Sequence, residues 1–337
     1  MRRLGYVPAL DGVRAVAVAA VVLFHAGFIP SGVIGVDLFF VLSGFLITSL
    51  LLDEHAERGA VALANFYRRR ARRLLPVAIA GIIFGETLTL AVSGFSREMI
   101  PGVFALFYAA NLDHLFQPFV YDRFRHYWSL SQEEQFYLVW PPLLAWVLWR
   151  RVSLAKMTYI LAALAGVVLV HRATSSNSLF GPDMRADGML LGCSLAVGWK
   201  SGLLRPSPRW RLAGAVSAVV FAVAATTMPT SSQSLYGITV GVIASAVMVA
   251  SIILEPLGPL PRLLASRPLV WLGKISYSLY IWHIFVAQAF SGLSMIAVSI
   301  PVAWLSYRLI EQPFRRRRAP TAAAPLKQHL SPAAPAV

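Results

Sequence analysis

The sequence predicts an all-α integral membrane protein, a bundle of about ten transmembrane helices with one re-entrant segment. Three observations carry that reading. Apolar runs recur along nearly all of the 337 residues instead of alternating with polar faces; hydrophobic residues make up 57% and mean hydropathy is +0.65. Charged residues are 13% of the chain, where soluble domains carry about 25%. The 30 Lys and Arg, against 15 Asp and Glu, fall mainly between the apolar runs. In lipid a segment must satisfy its own backbone, so long apolar runs become helices. On a soluble chain a net charge of +15 would suggest nucleic acid. Here it reads as topology, and the expected partner is membrane lipid rather than nucleic acid.

The elements follow in order. The first span runs from about Leu10 to Phe28, and "IPSG" turns the chain into a second, about Val33 to Leu52. The start "MRRLGYVPALDG" has no small-residue cleavage site and reads as a retained first helix, not a signal peptide. A polar stretch ending in "NFYRRRARRLLP" leads to a third span, about Leu74 to Val92. Later spans begin near Phe136, Met157, Asp187, Leu212, Gly237, Trp271 and Leu293, and the last ends near Ile310. Placing the cationic loops on the cytoplasmic side gives ten spans with both termini cytoplasmic. One apolar piece is left over, Met99 to Phe116. It is predicted to dip into the membrane and return, beside a protein-lined cavity.

Residues 1–314 thus form a transmembrane domain. Residues 315–337 are a basic and then Ala/Pro-rich cytoplasmic tail, expected to be disordered. Gly188 and Gly192, like Gly237 and Gly241, are spaced for close helix contact. The single cysteine, Cys193, excludes an intramolecular disulfide and reads as a packed thiol. No CxxC, HExxH, GxGxxG or GxxxxGK[ST] occurs, so neither a metal site nor a common nucleotide fold is expected.

Several polar residues stand where lipid would penalise them. Arg14 and His25 are 11 residues apart, about three turns, and share one helix face with a rise of about 16 Å. Both should face the bundle interior or an aqueous cavity. The bland alternatives are snorkelling for Arg14 and a packing role for His25. Asp37 lies as far after the intervening turn as His25 lies before it, so the two should sit at similar depth. A carboxylate there would orient the imidazole as a general base; alternatively it caps its helix or pairs with another cation. Arg69, Arg70 and Arg73 share one side of a helix. Their forks suit phosphate oxygens, or anionic lipid. "HYWSLSQEEQFYLVW" places His126, Ser131, Glu133 and Glu134 at a helix start, expected near the His25 end; acidic residues there also favour the helix dipole. Arg185 and Asp187 open another span as "RAD". His283, among aromatic residues, reads as structural.

These motifs together resemble the acyltransferase-3 family of integral membrane acyltransferases, over nearly all of Tyr6 to Phe314. "LDGVRAVAVAAVVLFH" resembles the family's Arg-x10-His opening through Arg14 and His25. "GVDLFFVLSGFLIT" resembles its second helix, and "FYRRRARRLLP" its basic loop through Arg69, Arg70 and Arg73. "SLSQEEQFY" is similar to its Ser-x-Glu-x-x-Phe-Tyr motif through Ser131, Glu133, Phe136 and Tyr137; "RADGMLLG" and "SYSLYIWH" resemble later signatures.

The resemblance implies transfer of an acyl group, commonly acetyl, from cytoplasmic acyl-CoA to a hydroxyl of an envelope glycan, glycolipid or secondary metabolite, in the bacterial plasma membrane. It implies that His25 is the catalytic base. The residues themselves fit that scheme: Arg14, Arg69, Arg70 and Arg73 are expected to bind the donor, Asp37 to lie near His25 and Glu133 to orient the acceptor or Arg14, with either direct attack of the acceptor hydroxyl or a transient acyl-enzyme. Ser131, Tyr137, Arg185 and Asp187 become candidate acceptor-binding residues. Some members carry a fused extracytoplasmic domain. This sequence ends soon after its last span, so the expectation is direct transfer or hand-over to a separate extracytoplasmic transferase. The competing reading is a glycan or lipid transporter or flippase without acyl chemistry.

Overall fold

The computed structural model describes residues 3–94, 99–115, 123–174, 180–228 and 236–316. Every regular element among them is helical. Helix α1 (Pro8–His25) begins with Pro at its first turn and Asp11 beside it, both favourable at a helix N-terminus. Helix α2 (Val33–Arg58) stops where Gly59 takes φ 71°, a left-handed cap that costs a glycine little. Helix α3 (Leu63–Ser93) follows. Then come α4 (Ile100–Leu106), α5 (Tyr127–Trp149), α6 (Leu154–Thr174), α7 (Pro182–Ser201), α8 (Arg209–Thr227) and α9 (Ile238–Leu254). The chain closes with α10 (Pro259–Leu264), α11 (Arg267–Lys274), α12 (Ser276–Ala287), α13 (Gly292–Ser306), a π-turn at Tyr307–Glu311 and α14 (Gln312–Arg316).

This is an all-α integral membrane protein. Among the described residues six helical stretches are long and apolar enough to cross a membrane, and a seventh is counted if α11 and α12, bent by 68°, form one broken span. The expected ten segments all contain helix, but a count of ten spans is not established. The shortfall has a physical cause. Helix α9 is 17 residues long, and α7 carries Asp183, Arg185, Asp187 and Lys200. Helices such as α7 hold the polar interior, so they are less apolar than those around them. Conversely, α6 and α8 expose Leu164, Val167, Val170, Val219 and Val223, surface that lipid accommodates.

Helix α2 is the hub and packs on α1, α5, α7 and α9. Its approach to α7 depends on glycine. A Cβ on Gly44 would overlap the Met189 carbonyl, and one on Gly192 would overlap the Val41 carbonyl. Buried Cys193 lies in the same contact, its thiol 3.6 Å from the Gly44 carbonyl. At one end of this pair Lys200 joins Asp53, which also accepts the Leu4 backbone N–H at 3.0 Å.

Two prolines inside α5 set up the neighbouring site. Pro141 and Pro142 lack the N–H groups that would bond the Tyr137 and Leu138 carbonyls. The Tyr67 hydroxyl of α3 takes both carbonyls instead, at 3.1 and 3.2 Å. This ties α3 to α5 one turn before Arg70.

The segment beginning at Met99 is broken. After α4 the chain turns at Tyr108, with φ 52°, and continues as a 3₁₀ helix over Ala110–Leu115. Neither piece could span 30 Å of hydrocarbon. Phe116, the far end of the expected re-entrant segment, lies outside the described residues. So does most of the tail, although Arg315 is still helical and pairs with Glu311 at 3.1 Å.

Candidate active site

Three cavities succeed one another along α1 and α2. A vestibule is bounded by Arg3 and Leu4 before α1, by Asp53, Glu54 and Glu57 late in α2, and by Arg69, Arg70 and Arg73 of α3. Next is an arginine cavity of about 90 Å³, lined by Arg14, Ser43, Arg70, Arg73, Glu133 and Tyr137 among others. Beyond it is a histidine cavity of about 530 Å³, reached by His25, Arg125, His126, Trp128, Phe180 and Arg185. Arg70 and Arg73 belong to the first two cavities, and Val36 and Tyr280 to the last two. Moving up α1 passes Arg14 and then His25; moving down α2 passes Val36, Ser43 and Glu54. Both helices give the same order.

The arginine cavity balances its cations unevenly. Arg70 donates from Nε to Glu134 at 2.8 Å, lies 3.7 Å from Glu133, and covers the Tyr137 ring with its guanidinium carbon 3.3 Å from the centroid. Glu133 also accepts from the Ser43 hydroxyl at 2.8 Å. Arg14 donates from Nε to Ser276 at 3.3 Å. Arg73 Nε is buried and makes no hydrogen bond among the described residues. Arg70 is thus engaged by the protein, while Arg14 and Arg73 face the cavity with neutral or no partners at Nε. Arg69 stays in the vestibule, its side chain 59% exposed and 3.7 Å from Glu54.

Three imidazoles meet at the histidine cavity: His25 at the end of α1 and His126 just before α5 line it, and His283 of α12 packs against both. His25 and His283 stand edge to face with ring centres 5.0 Å apart, and His126 lies 5.7 Å from His283. Each ring is oriented by a backbone carbonyl, which can only accept. His25 Nδ1–H donates to Val21 at 2.9 Å, His126 Nε2–H to Ile281 at 3.2 Å and His283 Nδ1–H to Tyr280 at 2.7 Å. These bonds fix the neutral tautomers, so the basic nitrogens are His25 Nε2, His126 Nδ1 and His283 Nε2. The last two are buried without a hydrogen bond among the described residues. No group of three His, Cys, Asp or Glu among those residues is arranged to hold a metal ion. Tyr280, in the shared wall, donates its hydroxyl to the His126 carbonyl at 2.9 Å and lies 2.6 Å from the Ser129 hydroxyl.

Several expectations need correcting on position. Asp37 does not pair with His25; it lies 2.9 Å from Arg185 of α7, because the glycine contact brings α7 against that face of α2. Glu133 lies in the arginine cavity and not at the His25 end, because α5 enters the bundle at Tyr127 and carries Glu133 nearly two turns inward. Ser131 is fully buried and accepts the Ala110 backbone N–H at 3.1 Å, so it braces the broken segment. Asp187 is held by both arms of Arg172, at 2.9 and 2.8 Å, and does not line the cavities. Arg14, Arg70, Arg73, Tyr137, His25 and Arg185 do line them. The clustering of His126 and His283 with His25 was missed, because it depends on how α1, α5 and α12 meet.

Against this geometry stand the relatives. A family model described as "Acyltransferase domain" (Acyl_transf_3) matches residues 7–309. The chain belongs to this family. It is 32% identical to the O-acetyltransferase OatA of Staphylococcus aureus, the alignment covering 93% of this chain and 58% of that protein. It is also 32% identical to the peptidoglycan O-acetyltransferase OatA of Listeria monocytogenes, over 92% of this chain and 56% of that protein. The chain therefore spans rather more than half the length of these relatives. No solved structure matches it.

Proposed function

We propose that the chain is an acyl-CoA-dependent O-acetyltransferase acting on a hydroxyl of an envelope glycan. The observation that carries this is the pair Arg14 and His25 on one face of α1, each in a different cavity, with Val36 and Tyr280 as a common wall. The vestibule and its Arg69 face the cytoplasm, and the polyanionic donor enters there. Its phosphates meet Arg73 and Arg14, whose forks match phosphate oxygens. The thioester then reaches the wall from the arginine side, and the glycan from the histidine side.

His25 Nε2 accepts the proton of the glycan hydroxyl while that oxygen attacks the thioester carbonyl carbon. The carbon–sulfur bond breaks, the glycan leaves as its acetyl ester, and the departing thiolate takes a proton to give free CoA. The Val21 carbonyl holds the imidazole tautomer, the part that the sequence alone gives to Asp37. Glu133 acts on the donor side by fixing Arg70 and Ser43. Holding both substrates at one wall converts a bimolecular step into a local one, where much of the gain arises. That the named relatives are O-acetyltransferases, one of peptidoglycan, favours acetyl and a glycan acceptor.

The test is transfer of label from radiolabelled acetyl-CoA to an added glycan acceptor, with release of CoA, by the purified protein in detergent, wild type against His25→Ala. Transfer by wild type alone supports the reading. Donor binding without transfer, restored by adding a separate extracytoplasmic transferase, places the final transfer in that partner. No donor binding by folded protein removes the acyltransferase reading in favour of transport, to be measured as glycan movement in proteoliposomes without CoA.

A further inference from the structure

The histidine cavity contains a cation that its surroundings engage by charge alone. Arg185 is 1% exposed, yet none of its Nε, Nη1 and Nη2 atoms makes a hydrogen bond among the described residues. Its ion pair with Asp37, at 2.9 Å, has the distance of a hydrogen bond without the required angles. The guanidinium carbon stands 5.4 Å from the centre of the Trp128 ring, contact that leaves the N–H donors unused. Two residues further along α7, Asp187 receives a two-armed fork from Arg172. That pair fills both Nη groups of its arginine and leaves only the Arg172 Nε without a partner among the described residues, whereas Arg185 has all three nitrogens unfilled. Leaving buried donors unfilled costs free energy, and Arg185 borders a cavity large enough for a sugar.

We propose that Arg185 is the anchor for an oxyanion carried by the acceptor, a carboxylate or phosphate on a sugar. A planar fork with unfilled N–H groups suits two oxygens on one centre. Trp128 and Phe180, 5.0 Å apart, supply apolar walls for the sugar ring, and Arg125 lines the same cavity. His25 lines it too, so an anchored sugar presents its hydroxyls to the imidazole. This rests on the acetyltransferase reading only in calling the sugar an acceptor; the anion site itself does not.

The test is a binding titration of the full chain in detergent with methyl β-D-glucuronide, methyl β-D-glucoside 6-phosphate and neutral methyl β-D-glucoside. At least one acidic sugar is expected to bind about ten- to a hundredfold tighter than the neutral one, and which one does so identifies the oxyanion. Arg185→Gln alone strands the buried Asp37 and could unfold the protein. The Arg185→Gln/Asp37→Asn double variant removes both charges together and is expected to bind all three sugars alike. Arg185→Lys, which keeps the charge and loses the fork, should lose most of the preference. Equal binding of the three sugars by wild type, or an acidic preference that survives in the double variant, overturns the proposal. Because binding is read without acyl-CoA, loss of CoA release in the earlier assay would leave this result standing.

Discussion

The arginine cavity and the histidine cavity share a wall, but their polar groups are arranged on opposite principles. In the first, cations face carboxylates: Arg70 is clamped between Glu134, Glu133 and the Tyr137 ring. In the second, backbone carbonyls orient three imidazoles so that one nitrogen of each stays basic. Charge is concentrated where a polyanion would be received, and proton-accepting nitrogen where a hydroxyl would react. A single helix, α1, supplies one residue to each. The division of labour is thus carried by eleven residues of sequence, and substitutions on either side of the wall should have separable effects.

The largest separation is expected at His25. His25→Ala should lower acetyl transfer by about 10²- to 10⁴-fold, the usual contribution of a general base, while acetyl-CoA binding stays within twofold. Parallel loss of donor binding would join the two cavities into one site and end the comparison. Next comes Asp187→Asn in α7. It leaves the buried Arg172 guanidinium without its counter-charge and should destabilise the protein by about 3–5 kcal/mol, read as a lowered unfolding midpoint in detergent. If Arg185 is instead a ligand anchor, Arg185→Gln/Asp37→Asn should move that midpoint much less. Equal losses in the two cases would make both pairs structural.

How far the sequence reveals this site can be judged residue by residue. Helical periodicity alone placed Arg14 and His25 on one face, because both lie in a single unbroken helix. It failed for Asp37, where the partner Arg185 is 148 positions away and the approach depends on Gly44 and Gly192 meeting carbonyls across α2 and α7. It failed for Glu133 because the depth of a residue follows from where its helix enters the bundle, which no local pattern records. His283 read as packing because nothing local distinguishes a histidine whose second nitrogen meets another helix's imidazole. Contacts within a helix are legible; contacts between helices need the packing that small residues permit.

On the arginine side, Arg73→Ala should weaken acetyl-CoA binding by about tenfold or more, since a charged donor to phosphate is removed from a buried site. Arg70→Ala should weaken it less, because Arg70 is already engaged by Glu134 and Tyr137. Isothermal titration of both variants decides the order, and a larger loss for Arg70 would show that its carboxylates release it to the donor. The smallest effect is expected at the wall. Tyr280→Phe removes the hydroxyl that bonds the His126 carbonyl and neighbours Ser129, a loss of about 1 kcal/mol that should lower the unfolding midpoint only slightly. Both substrate affinities should be unchanged, because the ring still separates the cavities. Transfer should fall only severalfold, through looser alignment of the two reacting ends. A fall as deep as that of His25→Ala would mean that the Tyr280 hydroxyl touches the reacting atoms, and the wall would then be part of the chemistry and not a partition.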